Sequence, residues 1–162
     1  MVEVRYWPYV IPLPVRKENR LRFLLKVFGS DVAVSILELT PLEGKIAQKE
    51  LIEKLPYSNK TVISHLNSLV SMGVLRESME KVIRSGRRVW VKYYSLSEVG
   101  RWITLLIGPK EPVKRKLLEH VVRESFRLYV KSLIDLCKKY ELRADHLLGM
   151  VDEELKRLKS SG

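Results

Sequence analysis

Two short apolar periodicities separated by a proline break constrain this chain more than any other feature. In residues 59–75, Val62, Leu66, Leu69, Val70 and Gly73 fall at the spacing of one buried helix face. Lys60, Ser64, Asn67 and Ser71 fall on the opposite side. That outer side carries short hydrogen-bonding groups and one cation, with no carboxylate. Upstream, Ala47, Leu51, Ile52 and Leu55 share one stripe in residues 46–55, which predicts a second short helix. Pro56-Tyr57-Ser58 separates the two, because the residue before a proline avoids the helical region. Ser58 or Asn59 is placed to cap the downstream helix by accepting backbone N–H bonds. Helix, short break, helix with a polar outer face is the pattern of a helix-turn-helix. Such a face suits base edges and phosphates in a major groove. A merely solvated face of an amphipathic helix has the same composition.

Residues 74–84 and 87–96 are rich in β-branched and aromatic side chains, and Ser85-Gly86 lies between them. This predicts a tight hairpin in which Val82 faces Val89 and Glu80 faces Val91. Its tip would carry Arg84, Arg87 and Arg88, three guanidinium groups within five residues. Like charges so close repel, and a neighbouring phosphate backbone would relieve that repulsion. A solvated loop is the alternative.

These segments resemble a known family. "SNKTVISHLNSLVSMGVLRE", the hairpin with its basic tip, and "KYYSLSEVGRWITLLI" are similar to the winged-helix DNA-binding domain of ArsR- and MarR-type transcription regulators, over residues 31–107. The resemblance implies that the second helix of the pair enters the major groove while the wing tip touches the adjacent backbone. Carried over, Asn59, Lys60, Ile63, Ser64 and Asn67 would face the groove, with Ser58 at its edge, and Arg84, Arg87 and Arg88 would hold phosphates or the minor groove. The pattern is specific for the fold and less so for function, since winged helices also serve as protein-interaction modules. The chain departs from the metal-sensing ArsR branch. It has one cysteine, Cys137, and three scattered histidines, His65, His120 and His146, without the short ligand spacings of a zinc site. No metal and no cofactor are expected.

Charge points the same way. The formal net charge is +11, and residues 1–110 hold 18 Lys and Arg against 10 Asp and Glu. The surplus of 8 lies mainly in the part with the hairpin, which favours a polyanionic partner. No glycine-rich phosphate loop, nucleophile elbow or paired carboxylates stand out, so an enzyme is not expected. A single cysteine fits a reducing compartment. The start of the chain lacks the basic and apolar regions of a signal peptide, and no run approaches the ~20 apolar residues of a membrane span. A cytoplasmic location and no membrane partner are the expectation.

Around this centre, residues 4–15 read as an extended apolar arm, because Pro8, Pro12 and Pro14 forbid a regular helix. Residues 17–28 predict a helix burying Leu21, Leu24, Leu25 and Phe28, and residues 32–39 another, capped by Ser30 or Asp31. Residues 42–45 are placed as a loop or as a strand joining the wing. A helix opening near Ser97 stops at Gly108-Pro109-Lys110-Glu111-Pro112. Beyond it, residues 113–140 predict a long helix. Leu118, Val122, Phe126, Tyr129, Leu133, Leu136 and Tyr140 step by 4, 4, 3, 4, 3 and 4, close to a heptad seam. So apolar a helix suits a twofold dimer, with packing onto its own domain as the alternative. A last helix over residues 144–158 carries Leu147, Leu148, Val151, Leu155 and Leu158 on one face. "YELRADHLLGMVDEELKRL" resembles the C-terminal helix pair of some GntR-type regulators, where it helps dimerisation. Tyr6, Trp7, Tyr129 and Tyr140 are candidates to wall an effector pocket between subunits, although a dry dimer core suits them better, and no effector is legible.

The expected fold is mainly α with a small β-wing (α+β): an arm (1–19), a winged helix-turn-helix (20–108) and long C-terminal helices for dimerisation (112–162). The expected function is a homodimeric, sequence-specific regulator on double-stranded DNA. The alternative is a winged-helix protein-interaction module of transcription or replication machinery.

Overall fold

A computed structural model of the chain describes residues 11–14 and 16–161. Most of the expected arm, including Tyr6 and Trp7, lies outside these residues. The described elements run α1 (Lys17–Phe28), α2 (Asp31–Leu39), β1 (Ile46–Ala47), α3 (Gln48–Lys54), α4 (Asn59–Ser71), β2 (Leu75–Arg84), β3 (Arg87–Leu96), α5 (Glu98–Ile107), α6 (Arg115–Lys139) and α7 (Ala144–Ser160). The fold is α+β: seven helices and one small antiparallel sheet of order β1-β3-β2 among the described residues. Two compact units divide between Val122 and Arg123, within α6.

In the first unit, α2, α3, α4 and α5 close on one core with the base of the sheet. Ile36, Leu51, Leu66, Tyr94 and Ile103 are its fully buried centre. Serines start three of these helices. Ser30 accepts the Ala33 N–H (3.3 Å), Ser58 the Thr61 N–H (3.1 Å) and Ser97 the Gly100 N–H (3.0 Å), each satisfying a donor that the helix leaves open.

The end of α4 is the joint of the molecule. Gly73 adopts φ +73°, its N–H bonds to the Val70 carbonyl, and the Val74 N–H bonds to the Leu69 carbonyl, both at 3.0 Å. That pair of bonds is a Schellman stop. Gly73 was expected on the buried stripe of the helix, but it lies beyond the helix and is exposed. Val74 then enters the core, and its carbonyl accepts the Ser97 N–H at 3.0 Å. The start of β2 and the start of α5 are thereby pinned to the same residue.

Two further expectations need correcting. Residues 46–55 are not one helix. Ile46 and Ala47 pair with Tyr94 and Tyr93 as the third strand, and the helix begins only at Gln48. The strand therefore lies after residues 42–45, not within them. In α1, the buried side chains are Phe23 and Val27. Leu21 and Leu25, expected inside, are 65% and 60% exposed. Apolar residues surround α1 on several sides, and its packing on α2 selects the Phe23–Val27 edge.

The wing has the expected register. Val82 pairs with Val89, Glu80 with Val91 and Arg84 with Arg87. Ser85 and Gly86 turn it with φ 48° and 75°, the two left-handed residues of a type I′ hairpin.

In the second unit, Glu141 at φ +54° ends α6, and the Leu142 N–H bonds back to the Cys137 carbonyl at 2.9 Å. Cys137 is buried, whereas no side chain of α7 is. No helix among the described residues is long and apolar enough to cross a membrane.

Candidate nucleic-acid interface

The two faces of α4 separate cleanly. Val62, Leu66 and Leu69 are buried, while Ser58, Asn59, Lys60, Ser64 and Asn67 are exposed and Ile63 is half-buried between the two sides. Ser58 spends its oxygen on the cap and also lies 2.8 Å from Thr61 Oγ1. His65 is half-buried, and its Nδ1 donates to the Thr61 carbonyl of the same helix at 2.9 Å. The exposed face thus presents one cation, two hydroxyls and two amides, groups whose hydrogen-bonding chemistry suits base edges and phosphate oxygens.

The wing sorts its charges along its length. Its two carboxylates lie short of the tip, at the third and sixth residues of β2, and each has a cation. Glu77 pairs with Lys92 at 2.9 Å, and Glu80 pairs with Lys45, which also stands 4.6 Å from the Tyr93 ring centre. The Glu77 hydrogen bond raises the Lys92 pKa above its ordinary value. Arg84, Arg87 and Arg88 at the tip are all exposed, and none forms an ion pair among the described residues. Both carboxylates of the wing are paired, and none lies beyond Glu80, so the positive charge of the tip is left open.

One face of the wing shaft is unexpectedly apolar. Met79, Ile83 and Trp90 point to the same side, with Ile83 73% and Trp90 62% exposed. Lys81 covers part of Trp90, with its Nζ 5.2 Å from the ring centre. The alternation of the strand placed these residues on one side, but only the fold shows that the core ends below them.

A second feature was missed entirely. Helix α1 lies beside the C-terminal half of α4. Lys26 Nζ donates to Ser68 Oγ at 3.4 Å, and Arg22 and Lys26 line a cleft of about 310 Å³ with Asn19 and Ser71. The polar edge of α1 was hidden in the sequence by its misleading leucines.

The α6 seam is largely uncovered. Leu118, Phe126, Tyr129, Leu136 and Tyr140 are exposed, with Phe126 at 64%, while Val122 and Leu133 are half-buried. Among the described residues, no group of three or more His, Cys, Asp or Glu side chains is arranged to hold a metal ion.

Comparison with known proteins adds little to this geometry. No protein-family model matches the chain, and no curated protein does. The chain is similar to a solved structure of ytfH from Salmonella typhimurium, named for transcriptional regulation, at 19% identity. The match covers 72% of this chain and 94% of that one with a TM-score of 0.46. It is also similar to Bacillus subtilis PadR, solved in complex with operator DNA, at 16% identity, over 79% of this chain and 77% of that one with a TM-score of 0.36.

Proposed function

We propose that this chain is a transcription regulator that binds double-stranded DNA sequence-specifically as a homodimer. In this reading α4 enters the major groove with Asn59, Lys60, Ile63, Ser64 and Asn67, and Ser58 stands at the groove edge. Arg84, Arg87 and Arg88 hold the backbone beside it. The observation that carries the reading is the charge distribution of the wing, which pairs both of its carboxylates and leaves three guanidinium groups open at the tip. A protein gains nothing internally from such a tip, whereas a polyanion does. The carboxylate-free face of α4 and the likeness of residues 31–107 to ArsR- and MarR-type domains support it. Residues 20–108 serve as the DNA-binding part and residues 112–162 as the dimerisation extension. The exposed seam of α6 supports the homodimer. Two copies would present two reading helices to sites about one helical turn apart.

The test is a salt titration of binding to duplex DNA, from upstream of its own gene and of random sequence. Each phosphate contact contributes about −0.9 to the slope of log K against log salt. Changing Arg87 and Arg88 together to alanine is expected to weaken binding and flatten the slope by about 1.8. No binding of either duplex at low salt refutes the reading. One observation favours a second reading, a protein-interaction module: the Met79, Ile83 and Trp90 stripe is the kind of apolar surface a protein partner covers. That reading takes the lead when the duplexes fail to bind.

A further inference from the structure

The cleft between α1 and α4 has a composition that its role in folding does not require. Arg22 and Lys26 stand four residues apart on the exposed edge of α1. Across from them, Ser64, Ser68 and Ser71 step along the flank of α4. Lys26 lines two adjoining openings, of about 310 and 280 Å³, and no carboxylate lines either one. Above their shared core, Lys26 Nζ reaches Ser68 Oγ by one long hydrogen bond of 3.4 Å. Neither Arg22 nor Lys26 forms an ion pair among the described residues. Ser71 spends its hydroxyl proton on the Ser68 carbonyl at 2.8 Å, which leaves two cations and the Ser68 hydroxyl, without a counter-charge, to receive an anion with several acceptor oxygens.

Position selects the anion. Helix α4 has 13 residues, about 20 Å at 1.5 Å per residue, and the major groove is about 12 Å wide. When the N-terminal turns of a reading helix contact base edges, its C-terminal turns and whatever flanks them lie towards the sugar-phosphate backbone. The cleft sits at that end, since Ser68 and Ser71 belong to the last turn of α4. We propose that Arg22 and Lys26 of α1, with Ser68 of α4, form a second backbone-phosphate clamp, separate from the wing tip. The DNA would then be held at both ends of the reading helix, by Lys60 at one and by this clamp at the other. The inference rests on the DNA-binding reading and adds α1 to the interface.

The experiment compares the full-length protein with a variant carrying both Arg22→Ala and Lys26→Ala, in salt titrations against random-sequence duplex. A parallel calorimetric titration uses inorganic phosphate without DNA. The double variant is expected to flatten the salt slope by about 1.8, and a variant carrying Arg22→Lys and Lys26→Arg is expected to restore it. An unchanged thermal midpoint in all three confirms that the fold is intact, as both side chains are exposed. If wild type binds with an unaltered slope in the alanine variant, the clamp is refuted while the DNA reading stands. If wild type binds phosphate, the alanine variant does not, and the DNA slope is the same in both, the cleft is a small-anion site and the clamp is again refuted. If wild type binds no duplex, the DNA reading itself fails, and the clamp with it.

Discussion

At the scale of single residues, the tightest point is where Gly100 meets Val74. A Cβ built on Gly100 would stand 2.1 Å from the Val74 carbonyl oxygen, the same oxygen that accepts the Ser97 N–H and lies 3.0 Å from the Ser97 hydroxyl. Backbone cannot swing aside as a side chain can, so α5 would have to lift from the start of β2. Gly100→Ala is expected to destabilise the protein by about 3 kcal/mol, read as a lower urea midpoint with an unchanged denaturant slope. Tyr94 is the other demanding residue. It is fully buried, and its hydroxyl donates to Gln48 Oε1 at 2.9 Å. Burial raises its pKa, and the charge of Lys92 opposes that shift. The folded-state pKa values of Tyr94 and Lys92 both lie above their unfolded values of 10.0 and 10.5. Folding therefore holds these protons more tightly. Their contribution is complete below about pH 10 and is lost as pH rises through the folded-state values. Thermal midpoints measured from pH 8 to 11 are expected to stay flat and then fall above pH 10. Tyr94→Phe is expected to fall less steeply there, at a cost of about 1 kcal/mol near neutrality.

At the scale of elements, what could be read in advance depended on whether local chemistry or tertiary packing decided the outcome. The hairpin was legible to the residue. Two residues of left-handed backbone between long β-branched runs allow one register, and Val82 does face Val89. The exposed and buried sides of α4 were legible because its apolar residues occupy one side only, which made the candidate groove face readable from residues 58–67. The bounds of α1, residues 17–28, were legible, but its inner edge was not. Leu21, Phe23, Leu24, Leu25, Val27 and Phe28 surround its axis, so periodicity offers two stripes and the neighbouring helix chooses between them. That error also concealed Arg22 and Lys26, since a wrong inner edge implies a wrong outer one. Strand β1 escaped for another reason. Two residues are too few to leave an alternation, and Ile46 and Ala47 become a strand only because β3 has a free edge to pair with.

At the scale of the whole molecule, the chain leaves apolar surface that water does not favour. Exposure of Phe126, Tyr129, Leu136 and Tyr140 along α6, with α7 burying nothing, is costly for a lone chain. Sedimentation at micromolar concentration is expected to give a dimer. Phe126→Asp together with Leu136→Asp is expected to give a monomer of unchanged helix content, whose DNA affinity falls because two half-sites are no longer held by one particle. A wild-type monomer would remove the dimeric part of the proposal while leaving single-site binding to be measured. The joint at Gly73 and Val74 has its own consequence at this scale. The last turn of α4, Val74 just before β2 and the start of α5 share one short set of hydrogen bonds, so α4 and the root of the wing move as a single piece. Under the proposed function, the span from helix to wing would act as a fixed gauge against the duplex. DNA whose groove width departs from that gauge would itself have to deform to satisfy both proposed contacts, so stiff and pliable sequences would be told apart at base pairs the protein never touches.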